Sequence, residues 1–247
     1  MAIDYSVVLT SCGRFDLLDR TLESLLPRLD PVPHRFVLIE DSTDTGVEAV
    51  AARHDFRGAE LVTIVNETQL GQMRAIDRAY ARVETPYVLH CEDDWSFTRP
   101  FVAEAHRILE ARDDVSIVLA RDRATMRPEI QRMATTEVEG IAVLLMDPRA
   151  HPEYFGMSFN PGLWRLTDYQ ALAPLAALGH EADVSLAMKQ RGKRSALLLE
   201  PAYHHIGDDA HVHDPTQPAK ARTLPARLRR SVRKRVKRLA RWLGGTS

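Results

Sequence analysis

Apolar runs of strand length alternate with segments of helical period through the first hundred residues, and each run stops at a polar cluster. Runs 5–9, 35–39, 61–65 and 87–91 are rich in Val, Leu, Ile and aromatic side chains. Between them, 15–26 repeats leucine at helical spacing (Leu18, Leu22, Leu25, Leu26), 47–53 reads as a helix, and 71–83 sets Ile76 and Tyr80 on one side. Such alternation means βαβ units, and their right-handed crossovers build a mostly parallel sheet. The runs end in Thr10-Ser11-Cys12-Gly13-Arg14, in Glu40-Asp41-Ser42-Thr43-Asp44, at Asn66 and in Glu92-Asp93-Asp94. Parallel strands bring all four clusters to one edge, where open α/β sheets bind ligands.

The last cluster is the most demanding. Adjacent carboxylates repel, and burying an unpaired one costs several kcal/mol. Water, a cation or a cationic ligand must compensate them. A solvated acidic turn would satisfy the same chemistry, but the cluster follows a buried-type strand and precedes Trp95. Oxygen ligands with substrate phosphates filling the other positions are what a magnesium-like ion prefers.

At 247 residues the chain has room for one large α/β domain or a domain with an appendage. Its two cysteines, Cys12 and Cys91, exclude a disulfide framework and zinc-finger spacing and suit a reducing compartment. Neither a signal peptide nor an apolar run of membrane-span length is visible, so a cytoplasmic location is expected. The net charge of −1 hides an asymmetry. Residues 220–241 hold 11 of the 33 basic residues and none of the 34 acidic ones, leaving 22 − 34 = −12 for residues 1–219. An acidic body with a basic tail suggests two jobs.

The motifs of 5–97 resemble those of a GT-A fold glycosyltransferase of family 2. The segment Ser6 to Phe15 is similar to the family's opening strand and Thr/Ser turn, and Glu40-Asp41-Ser42-Thr43-Asp44 to its Asp-rich second loop without the glycine. Asn66, Gly71 and Arg74 fall in the family's Asn…Gly…Arg order, and Glu92-Asp93-Asp94 stands for Asp-x-Asp. The resemblance implies a Rossmann-like, mostly parallel sheet flanked by helices. It implies a nucleotide-binding half at 1–97, an acceptor-side half at 98–219, and a nucleotide-sugar held near Thr10, Glu40, Asp41 and Arg74. Glu92 and Asp93 would hold sugar and ribose hydroxyls, and Asp94 would carry Mn²⁺ or Mg²⁺.

The second half is less regular. Residues 101–111 read as a helix and 116–120 as a strand, while 121–139 is polar without a period and is expected to be a mobile segment over the site. Residues 157–165 resemble the family's acceptor-side strand, which makes Trp164 a substrate-binding candidate. The sequence His180-Glu181-Ala182-Asp183 enters a helix that runs to about Gly192. As plain charges at a helix start, Glu181 and Asp183 would stabilise it by up to about 1 kcal/mol. The resemblance instead makes Glu181 the general base. Histidines crowd at 204, 205, 211 and 213 without zinc spacing. By the same resemblance His205 would complete the metal site, with His211 as second choice.

In the tail, Leu224, Leu228, Val232, Val236, Leu239 and Leu243 share one helical face, Pro225 opens it and Gly244 closes it. The other faces are nearly all Arg and Lys. Packing on the acidic body is one reading. A basic amphipathic helix with Trp242 at its apolar edge suits an anionic membrane surface better. Nucleic acid is not expected as a partner, because a −12 body repels phosphate polymers.

Together these imply a metal-dependent, inverting transfer of a sugar from a nucleotide-sugar to a glycan or lipid-linked acceptor. Bacterial-type surface glycan or glycolipid synthesis at the inner face of the membrane would be its setting. A sugar-phosphate nucleotidyltransferase would need a Gly-rich basic first loop, of which only Gly13-Arg14 is present. A non-catalytic membrane-surface binding protein on the same fold is the alternative outside enzymes.

Overall fold

A computed structural model of the chain describes residues 3–147, 149, 157–208, 210 and 212–216. The chain divides into two units, Met1–Val212 and His213–Ser247. Only 213–216 of the second are described, where Asp214 accepts the Thr216 N–H at 2.8 Å. The expected tail helix of 220–247 lies outside the described residues.

The first half runs β1 (Tyr5–Ser11), α1 (Phe15–Leu25), β2 (Arg35–Glu40), α2 (Gly46–Ala51), β3 (Glu60–Val65), α3 (Gln72–Tyr80) and β4 (Tyr87–Glu92). The second continues with β5 (Trp95–Phe97), α4 (Val102–Ala111), β6 (Val115–Leu119), α5 (Pro128–Gln131), β7 (Thr136–Val138) and β8 (Ile141–Leu145). It ends with β9 (Gly162–Arg165), α6 (Leu166–Gln170), α7 (Glu181–Gln190), β10 (Arg194–Leu198) and β11 (Tyr203–His205). Among the described residues no helix is long and apolar enough to cross a membrane.

A nine-stranded sheet has the order β3-β2-β1-β4-β9-β6-β10-β8-β7. β3, β2, β1 and β4 are mutually parallel, as the alternation requires. β9 is antiparallel to both its neighbours, and β8 is antiparallel to both β10 and β7. The segment 121–139, without a clear period in the sequence, holds a 3-10 turn at Arg123–Thr125, α5 and β7.

Strand alternation feeds two cores, one on each face of the sheet. Tyr5, Val7 and Leu9 of β1 join Phe36 and Leu38 of β2 and the Leu18, Leu22 and Leu25 stripe of α1. Val8, Val37, Ile39 and Val88 join Met73, Ile76 and Tyr80 of α3 on the other face. A strand covered on both faces reads as a continuous apolar run, which is why β1 and β2 were so plain in the sequence. β9 fits between β4 and β6 through Gly162, where a Cβ would lie 2.7 Å from Ile117 Cδ1.

Candidate active site

β1, β2 and β4 end side by side, with Thr10 opposite both Ile39 and Glu92, and Ser11 opposite Glu40. Each end carries a polar group into the loops above the sheet. What differs among them is how much of each group the chain itself consumes.

Asp93 is consumed most. It is fully buried, and its Oδ2 accepts the Ser11 hydroxyl at 3.1 Å, the Cys12 N–H at 3.4 Å and Arg14 Nε at 3.3 Å. Its Oδ1 accepts from Arg14 Nη2. Burial pushes its carboxyl up to about 6, with Arg14 opposing the rise, so it is ionised at neutral pH. Asp93 therefore fastens the loop after β1 to the end of β4. These pairings occupy both oxygens of Asp93, the residue expected to hold a donor hydroxyl.

Its two neighbours are less spent. Asp94 Oδ2 accepts from Arg14 Nη1 at 2.7 Å and lies 3.3 Å from His205 Nε2, while its Oδ1 is buried with no partner among the described residues. Glu92 is half-buried and accepts from Gln72 Nε2 at 2.8 Å. Burial, then Asp94, Glu181 and Asp93, push the Glu92 carboxyl up to about 8, with Arg14 opposing. The repulsion from Glu181 puts α7 within electrostatic reach of the strand end.

His205 arrives through a short second sheet. β11 pairs antiparallel with β5, setting His205 opposite Trp95, and its ring meets the indole edge-on at 5.0 Å. Its Nδ1 lies 3.5 Å from Asp208 Oδ1; a proton shared there would leave the Nε2 lone pair facing Asp94. Gly207 permits the close approach: a Cβ would lie 2.6 Å from Asp94 Cβ. His211 lies outside the described residues. Among the described residues no three His, Cys, Asp or Glu side chains form a metal-holding group. The orphaned, buried Asp94 Oδ1 beside His205 nevertheless suits a divalent ion that keeps its remaining positions for phosphate oxygens.

At the end of β2, Glu40 is fully buried, and its Oε1 accepts the N–H groups of Gly13 at 2.9 Å and Ser42 at 2.7 Å. Its Oε2 has no partner among the described residues. Asp41 accepts from Asn66 Nδ2 at 2.6 Å and from the N–H groups of Leu70 and Gly71 at 2.8 Å each. It thus ties β2 to the loop after β3 and to the start of α3. Thr10 is half-buried at its strand end, and Arg74 is exposed on α3.

Glu181 opens α7. Its Oε1 accepts the Ser158 hydroxyl at 3.0 Å and the Phe159 N–H at 3.1 Å. The carboxylate borders a cavity of about 380 Å³ that also meets Arg121, Ser158 and Asn160. Arg121 lies over the Trp95 ring at 5.5 Å and reaches Asn160 Oδ1 at 3.3 Å, linking this cavity to the residue after the acids.

Trp164 is a correction. It is fully buried in β9 between β4 and β6, and its indole N–H donates to the Tyr80 hydroxyl at 2.5 Å. It presents no surface to a ligand. Tyr80 in turn lies 3.3 Å from His90 Nδ1, and burial lowers that histidine to about 3, keeping it neutral beneath the acids. Sequence reasoning passed over Arg14, Gln72, Arg121 and Asn160. Arg14 had a signal: an acid cluster needs a counter-ion, and a basic residue stood in the neighbouring strand-end loop.

The sequence profile described as "Glycosyl transferase family 2" matches residues 6–173. No curated protein matches the chain significantly. Among solved structures, the chain is similar to the mannosyltransferase PcManGT from Pyrobaculum calidifontis, in complex with GDP-Man and Mn²⁺. The TM-score is 0.59 at 15% identity, covering 81% of this chain and 57% of that one. It is also similar to S. aureus TarS 1–349 in complex with UDP-GlcNAc, with TM-score 0.60 and 14% identity over 89% of this chain and 62% of that one. The chain therefore spans about three fifths of the length of these two structures, and at such identities the likeness is one of fold. With the profile covering both the strand-end acids and β9, the chain belongs to glycosyl transferase family 2.

Proposed function

We propose that this protein transfers a sugar from a nucleotide-sugar to an acceptor hydroxyl with inversion at the anomeric carbon. The observation that carries the reading is the convergence of Glu92 and Asp94 at one strand end with Glu181 on the wall of the adjoining cavity. The nucleotide lies over the ends of β1, β2 and α3, near Thr10, Glu40 and Arg74, with Asp41 holding that loop in shape. The unpartnered Glu40 Oε2 offers an acceptor there. Glu92 and Gln72 take the donor's hydroxyls. Asp94 and His205 would hold Mn²⁺ or Mg²⁺, which when bound neutralises the diphosphate leaving group.

Glu181 is oriented by Ser158 and Phe159 through Oε1, which leaves Oε2 to take the acceptor's proton. The acceptor oxygen forms its bond to the anomeric carbon as the bond to the diphosphate oxygen breaks. The nucleoside diphosphate leaves with that electron pair. A single displacement from the opposite face inverts the configuration. The basic sequence of 220–247 would hold the protein at the cytoplasmic face of an anionic membrane, in surface glycan or glycolipid synthesis.

The test is donor hydrolysis and donor binding across a panel of nucleotide-sugars with and without Mn²⁺. At least one donor should bind tightly in a cation-dependent way, and Asp94→Asn should lose most of that binding while remaining folded. Unchanged cation dependence in the variant would remove Asp94 from this role.

A further inference from the structure

Polar side chains make up most of the lining of the cavity beside Glu181, and two of them, Arg121 and Glu181, are half-buried and of opposite charge. Arg127 and Glu129 add one charge of each sign, both exposed. Opposite charges bordering one cavity ordinarily close on each other. Here each is held by neutral partners instead. Glu181 accepts from the Ser158 hydroxyl and the Phe159 N–H, while Arg121 donates from Nε to Thr125 Oγ1 at 2.9 Å and from Nη1 to Asn160 Oδ1. Asn160 Nδ2 donates in turn to Ser158 Oγ at 2.6 Å, so two side chains stand as a spacer between guanidinium and carboxylate. Among the described residues no carboxylate forms an ion pair with Arg121. The Trp95 ring beneath it attracts the cation but supplies no counter-charge. A cation half out of water carries its desolvation cost until an anion meets it.

We propose that the acceptor is itself an anion, a hydroxyl compound whose phosphate or carboxylate pairs with Arg121 while its reacting hydroxyl meets Glu181. The inference rests on the reading of Glu181 as base and adds the acceptor's charge. A guanidinium presents a planar fork that matches either oxyanion. Its neutral partners fix the orientation of Arg121 without neutralising it. The Asn160–Ser158 spacer keeps the ligand's anion away from the Glu181 carboxylate, so the ligand spans the two, anionic group at one end and hydroxyl at the other. A neutral sugar would leave Arg121 without a counter-ion and binds more weakly for that reason.

The experiment titrates the full chain by calorimetry with glucose, glucose 6-phosphate and glucuronate, which offer hydroxyls alone, hydroxyls with a phosphate, and hydroxyls with a carboxylate. Chelator is present, so that no cation at Asp94 captures the phosphate. At least one anionic sugar should bind about tenfold or more tighter than glucose, the scale of one charge-assisted hydrogen bond. The tighter of the two tells phosphate from carboxylate. Arg121→Gln should bring that ligand down to the level of glucose. Arg121→Lys, which keeps the charge but not the fork, should retain part of the preference. Both variants keep the 11 basic residues of 220–241, so an anion preference that survives Arg121→Gln belongs to the tail and overturns the proposal. Equal binding of the three by the wild type, or none, overturns it too, whether or not Arg121→Gln folds. Donor hydrolysis is read separately: its absence sinks the transferase reading, whereas a flat response to charge sinks this one.

Discussion

Glu181 is held through one oxygen, so Glu181→Gln keeps the Ser158 and Phe159 contacts but cannot accept a proton. Donor binding should stay unchanged, with transfer falling roughly 10²-fold or more; lost donor affinity with transfer preserved would move Glu181 to the donor side. Glu92 should show itself in stability. Its carboxyl is raised from 4.5 to about 8 in the folded chain, so its contribution is greatest at acid pH and declines as pH climbs through that interval. Asp93, raised to about 6, acts in the same direction. Urea midpoints in chelator at pH 5 and pH 8 should therefore converge in Glu92→Gln, which gains on the order of 1–3 kcal/mol relative to wild type at the higher pH. Equal pH slopes for the two proteins would refute it. The strand-end acids were legible because adjacent charges after an apolar run demand compensation. Their partners were not, because Arg14 and Gln72 reach Glu92, Asp93 and Asp94 only through tertiary packing. Trp164 misled because a large aromatic reads the same whether it faces a sugar or a core.

The same division holds for elements. β1, β2 and β4 announced themselves as apolar runs and α1 to α4 by period, since each buries a full face or stripe; β3, with only Ile64 buried, showed as an apolar run alone. β5, β7, β9 and β11 have three or four residues each, too few to carry a pattern, and their pairing comes from distant segments. The long expected strand at 157–165 shrinks to Gly162–Arg165, because 157–160 turns away to meet Glu181 and the cavity. β9 is the element on which the sheet depends most, since it alone bridges β4 and β6. Gly162→Ala would press a methyl into Ile117 and Leu119 and should cost about 1–3 kcal/mol by overpacking. Chemical denaturation would read this directly, and an unshifted midpoint would mean the two side chains yield freely.

For the molecule as a whole, the Met1–Val212 unit contains every described group assigned to the reaction. Deleting residues after Thr223 should leave a folded protein that binds donor but no longer pellets with anionic vesicles. The lost segment carries the apolar face and the basic residues from Arg227 to Arg241. Molar salt should weaken full-length binding as the screening length falls from ~10 Å to ~3 Å. Equal pelleting of both proteins would reassign the tail to packing or self-association. The placement of β9 also has a consequence during synthesis. One edge of β4 is covered by β1, made earlier, but the other waits for a strand that begins at Gly162. A ribosome adding ~5–20 residues per second needs roughly 3–15 s to translate 93–161. Through that interval the nascent chain carries an apolar strand with an open edge, the template on which neighbouring chains pair. Expression of fragments ending before residue 165 should therefore yield aggregates, and slowing translation within 93–161 should lower the soluble yield of the intact protein.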